Sequence, residues 1–201
     1  MGDFEKIILA SMFSFLFGAI VAIFAEPFRR WLFRSSVILS FEPKIGFGRR
    51  WIYLAPTTKP KVSAKYIRVL ATCSARTTAN LCKPFLTRIE KHDSTLGGYK
   101  ELHHDPLPLN WAFIGDQQWD IHPEMAFYFD VFRVHSDDNS ICPQTTISPE
   151  TWTKLIQEPG RYRFTVVLAG ENIGPPVSRK IEFEWKGTFD SLTEDCFVSA
   201  S

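Results

Sequence analysis

Histidine and carboxylate together can hold a metal ion or move a proton. Four of the five histidines, His103, His104, His122 and His135, share one stretch with Asp105, Asp120, Glu124 and Asp130. Their spacing argues against a site. His103 and His104 are neighbours, which on a strand project to opposite faces. No H-x-x-x-H or H-E-x-x-H pair is present, so exposed loop histidines are expected. Asp137-Asp138-Asn139 resembles half of a calcium loop but lacks its glycine and closing glutamate. A solvated turn is expected there. Gly46-Phe47-Gly48 lacks the rest of a phosphate loop, and no G-x-S-x-G, S-x-x-K or G-x-G-x-x-G occurs. The sequence therefore assigns no catalytic residue, no metal ligand and no cofactor, and reads as a non-enzyme.

Of the four cysteines, Cys73, Cys82, Cys142 and Cys196, none forms a C-x-x-C pair, which argues against a zinc ribbon. A hairpin turning at Thr77-Thr78 would place Cys73 opposite Cys82. In a reducing compartment all four are expected to be thiols.

The net charge of +1 hides an asymmetry. Residues 27–100 hold fifteen Lys or Arg and three acids, while residues 101–150 hold one Arg and nine acids. The basic side chains Arg29, Arg30, Arg34, Arg49, Arg50, Lys59, Lys61 and Lys65, with Trp51 among them, have three readings. They can lie on an anionic lipid surface, bind an anionic ligand such as a nucleotide or nucleic acid, or be neutralised by the acidic block across adjacent strands.

The element that would position the basic segment is Ile7–Ala25, nineteen residues without a charge. As one helix it spans roughly 28 Å, close to a bilayer core. The expectation is a transmembrane anchor in a single-pass membrane protein. Arg29, Arg30 and Arg34 follow the span and only Lys6 precedes it, which puts the N-terminus outside and the domain in the cytoplasm. Ala10, Ser14, Gly18 and Ala22 recur every fourth residue, a small-residue stripe suited to helix–helix association and a homo-oligomer through the anchor.

After the anchor, short runs of β-formers alternate with Gly/Pro turns. Strands are expected at Ser36–Glu42, Trp51–Leu54, Lys65–Thr72, Asn80–Glu90, Leu109–Ile114, Trp119–Ile121, Ala126–Val134, Arg161–Ala169 and Ser178–Gly187. Pro84 suggests an edge or a bulge. Asp137–Gln144 reads as a polar loop, and Ser148-Pro149 as the start of a short helix near 149–157. The fold class is mainly β: an antiparallel sandwich of about seven or eight strands, with a small barrel as the alternative. The organisation is 1–34 anchor and juxtamembrane segment, 35–189 sandwich, 190–201 tail.

The stretch Glu158-Pro-Gly-Arg-Tyr-Arg-Phe, followed by Glu171-Asn and Ile181-Glu-Phe-Glu-Trp, resembles the final hairpin of bacterial immunoglobulin-like and fibronectin-like modules. The resemblance covers about thirty residues, implies a sandwich and carries no functional residues across. The expected function is a membrane-anchored, non-catalytic interaction or scaffold module with an unidentified protein partner. The alternative is a ligand-gated membrane effector whose β-domain senses an anionic ligand, resembling in outline the anchor-plus-β-domain proteins of bacterial anti-phage systems.

Overall fold

The computed structural model describes residues 14–25, 28, 34–43, 47–52, 62–74, 76–112, 114, 116–137, 139–146, 156 and 158–198, those at 47–52 and 62 as backbone only. Two compact units follow one another along the chain, residues 1–34 and 35–201.

The first unit corrects the expected anchor. Its described helix covers residues 14–25, which at about 1.5 Å per residue is roughly 18 Å. A bilayer core needs about 30 Å. Among the described residues no helix is long and apolar enough to cross a membrane. The transmembrane helix, the single-pass description and the localisation drawn from it are therefore withdrawn. Residues 7–13, 26 and 27 lie outside the described residues.

The second unit is the sandwich. One sheet contains β1 (Val37–Ser40), β2 (Phe47–Ile52), β3 (Val62–Cys73), β8 (Ala126–His135) and β9 (Ile141–Pro143). Its order is β1-β3-β8-β9, with β2 sharing the edge of β3. The other contains β4 (Ala79–Asp93), β5 (Gly98–His103), β6 (Leu107–Pro108), β7 (Trp119–Ile121), β10 (Gly160–Ala169), β11 (Val177–Trp185) and β12 (Phe197–Val198). Its order is β12-β11-β10-β4-β5, with β6 and β7 also on β4. All these pairings are antiparallel.

Period-two alternation fixes which side chains meet. Tyr162, Phe164, Val166 and Leu168 of β10 and Ile181, Phe183 and Trp185 of β11 are buried, while the residues between them are not. They face Ile67, Val69, Phe129 and Phe132 of the other sheet. Phe132 bridges the layers, its ring 5.0 Å from Phe164 and 4.8 Å from Phe183. A bulge pairs Ile67 with Phe132 but Arg68 with Asp130. It inserts Val131, so Val131 and Phe132 are both buried although adjacent.

Several boundaries differ from expectation. The segment 109–114 makes isolated bridges rather than a strand. Ile141–Pro143 inside the expected polar loop pairs with β8. Pro84 sits in a central strand, where the ladder to β6 stops and that to β7 has not begun. Leu192, Cys196 and Phe197, in the expected tail, are core residues. Residues 149–155 and 157 of the expected short helix lie outside the described residues. β3 and β4 belong to different sheets, so no hairpin joins Cys73 to Cys82.

Candidate functional site

One end of β4 departs from ordinary strand geometry. Between Ala79, paired with Ile121, and Cys82, paired with Trp119, the register shifts. Leu81 sits there at φ +50°. The left-handed region costs an L-residue with a Cβ roughly 1–2 kcal/mol. The surroundings hold it there: the Leu81 N–H donates to Asp120 Oδ1 at 2.7 Å, and the indole N–H of buried Trp111 donates to the Cys82 carbonyl at 3.2 Å.

The β10–β11 turn closes on the same bulge. Asn80 N–H donates to Asn172 Oδ1 (2.9 Å), and Glu171 N–H donates to Asn80 O (3.1 Å). This approach requires glycine at 170, where a Cβ would meet Asn80 O at 3.0 Å and Cys82 Sγ at 3.2 Å. Asn172 also donates to Ser35 Oγ (3.2 Å) and Thr78 O (2.8 Å), and its carbonyl accepts from Ser35 N–H (2.8 Å). Buried Ser35 Oγ lies 3.0 and 2.9 Å from the carbonyls of Thr77 and Thr78. The bulge is thus locked from three sides by satisfied hydrogen bonds.

A frame this well satisfied leaves the Leu81 side chain 43% exposed. It forms the ridge between two shallow depressions, of about 370 Å³ and 330 Å³. Gln118, Trp119, Asp120 and His122 line the first with Leu81. Lys83, Phe85 and Glu171 are among the residues lining the second. Trp119 is half-buried, its ring edge-on to Phe127 at 6.2 Å. His122 Nδ1 is 3.1 Å from Thr78 Oγ1, a contact that fits either tautomer. Cys82 beneath the ridge is no nucleophile: burial, then the Asp120 carboxylate and Cys73, push its thiol up to about 12. All four cysteines are free thiols, three of them buried.

The histidine–carboxylate set does not converge. His103 bonds the Asp105 carbonyl, His104 faces Glu101 and Asp105, and His135 lies 3.9 Å from Asp137. Among the described residues no three His, Cys, Asp or Glu side chains are placed to hold a metal ion. Asp120 and His122 alone of that set line the groove.

Only part of the basic set is described. Lys65 is buried, its ammonium donating to the carbonyls of Phe189 and Leu192 at 2.7 Å each and lying 4.5 Å from the Phe189 ring centre. It leaves the set of surface contacts. Arg34 is exposed, and Arg49, Arg50 and Trp51 lie on β2. Arg29, Arg30, Lys59 and Lys61 lie outside the described residues, as does Ala10. Ser14, Gly18 and Ala22 are exposed along the helix, and a Cβ at Gly18 would meet nothing within 4 Å.

Sequence reasoning missed Leu81, because a positive φ in an apolar residue leaves no compositional trace. No protein-family profile and no curated protein sequence matches the chain.

Proposed function

We propose that the chain is a non-catalytic interaction module whose β-sandwich presents the Leu81 groove to a protein partner. One observation carries this reading. An apolar side chain, 43% exposed, is held in a strained backbone conformation by hydrogen bonds to its own N–H and to the backbone of Asn80 and Cys82 on either side. Strain that a fold maintains, rather than relaxes, is characteristic of sites under functional selection. Asparagine or glycine would occupy this backbone position at lower cost. The alternative, sensing of an anionic ligand through the basic segment, lacks a comparable observation, and one member of that set, Lys65, is internal.

The test separates binding from folding. Leu81→Gly relieves about 1–2 kcal/mol of strain, against a glycine entropy cost of about 0.5–1 kcal/mol and some lost contact. Stability should stay within about 1 kcal/mol of the parent. A photo-crosslinking side chain at exposed Gln118 should capture a discrete protein in cells, and Leu81→Gly should abolish the capture. The same side chain at Leu96, 74% exposed on the β4–β5 turn, is the control. Identical products from both positions, or capture indifferent to Leu81→Gly, would sink the proposal.

A further inference from the structure

The helix at 14–25 is apolar throughout except for Ser14, yet every side chain on it but Ala19 is exposed. Phe15 is 79% exposed, Phe17 70% and Ile23 67%. Water disfavours such a surface, and an exposed apolar patch of this kind marks a place where something docks. We infer that lipid covers it: the helix enters one leaflet of an anionic lipid surface without crossing. Its geometry selects that occupant. A helix seated on a protein surface buries a stripe somewhat over about 100° wide. At about 100° per residue, Phe15, Phe17, Ile20, Val21 and Ile23 spread over roughly 240° of the circumference. On the remaining arc, a Cβ at Gly18 would meet nothing within 4 Å. One protein groove covers a stripe, whereas acyl chains close around a helix from every side. A helix that is apolar all round belongs in a core or in a bilayer, and its exposure takes this one out of the core.

Length sets the depth. The helix measures roughly 18 Å, against about 30 Å for a whole hydrocarbon core and about half of that for one leaflet. Charge supplies an observation of different physical origin. Residues 27–41 hold Arg29, Arg30 and Arg34 and no acid, and Glu26 is the one acid between them and the helix. Arg34 is exposed. Basic residues that follow an inserted segment favour the headgroup layer, where anionic lipid attracts them. Trp31, in the same stretch, is a residue type enriched in that layer.

The experiment adds the full chain, carrying biotin on its N-terminal amine, to preformed vesicles and reads co-flotation. The probes are vesicles of phosphatidylcholine alone and of phosphatidylcholine mixed with phosphatidylglycerol. The chain should bind the mixed vesicles at least about tenfold more tightly than the neutral ones, the scale of two basic residues at an anionic surface. Phe17→Glu should weaken binding at least about tenfold, with the melting temperature of the sandwich unchanged. Ile38→Glu removes an apolar side chain 52% exposed on β1 and should float like the parent. Streptavidin added outside the vesicles should still capture the biotin. Equal binding to the two vesicles, a Phe17→Glu chain that floats like the parent, an equal loss from Ile38→Glu, or a biotin hidden from streptavidin would each overturn the inference. So would a chain that stays off the vesicles as an oligomer that Phe17→Glu breaks apart, which assigns the helix to a second copy. The Leu81 groove is tested separately by the crosslink at Gln118, and neither result decides the other.

Discussion

The outer face of the larger sheet and the bulge at its β4 end are both polar surfaces, yet they are built on opposite principles. On the face, Glu182 of β11 accepts from Arg163 Nε at 2.7 Å, Arg161 Nη2 at 3.0 Å and the Tyr99 hydroxyl at 3.0 Å. Arg163 also lies 3.6 Å over the Tyr99 ring and 3.8 Å from Glu90. Glu90, Arg161, Arg163 and Glu182 answer one another across neighbouring strands, as cross-strand pairing favours. At the bulge, the hydrogen bonds are spent on holding the backbone, and the apolar side chain that emerges, Leu81, is left for something else. A self-satisfied surface is a lid over the core. A surface whose polar groups serve to hold an apolar side chain outward is a presenting surface.

The largest expected effect falls on the frame of the bulge. Gly170→Ala places a Cβ 3.0 Å from a backbone oxygen that cannot swing aside, and overpacking of this kind costs about 1–3 kcal/mol. Chemical denaturation should show that loss. A neutral Gly170→Ala would mean that the turn is free to shift and that the bulge is not locked.

Next comes the ladder. Glu182→Gln should cost about 1 kcal/mol, as for one charged hydrogen bond removed, and it should change the acid limb of stability. Burial raises the carboxyl of Glu182, but hydrogen bonds from Arg163 and Tyr99 outweigh it and hold the pKa below the ordinary 4.5. A folded pKa below the unfolded one stabilises above the unfolded value, and the gain is lost as pH falls through the folded one. Melting temperatures of parent and Glu182→Gln should therefore converge below about pH 4. A constant difference down to pH 2 would assign the loss to packing instead.

The smallest effect belongs to the exposed rim of the same face. Arg88 and Glu101 pair at 3.1 Å with both side chains about half exposed, so Arg88→Ala should change stability by no more than about 0.5 kcal/mol. A larger change would extend the satisfied ladder to β5 and sharpen the contrast with the bulge.

Much of the sandwich was legible because alternation is a two-residue signal. Tyr162, Phe164, Val166 and Leu168 announce β10, and Ile181, Phe183 and Trp185 announce β11. β9 and β12, of three and two residues, are too short to show a period and exist only through their partners. The uncharged run at 7–25 was read by its length as an anchor, and the described helix covers only residues 14–25 of it. Lys65 was counted as surface because lysine is almost never buried unless paired. Its acceptors are carbonyls 124 and 127 residues away, which no local pattern can reveal. The candidate site was half visible: Asp120 and His122 stood out as titratable groups, while Leu81 took its role from backbone geometry.

That long reach of Lys65 also sets an order of events during synthesis. The lysine lies on β3, and the carbonyls that receive its ammonium are made 124 and 127 residues later. Until residues 189–197 have left the ribosome, the charge has no dry place to go and must stay in water. Strand β3 cannot seat its end against the second sheet before then. Phe197, which packs on Phe183 and Phe41, arrives with the same segment. The nascent sandwich is therefore expected to wait, one end open and wet, until β12 and the segment before it arrive.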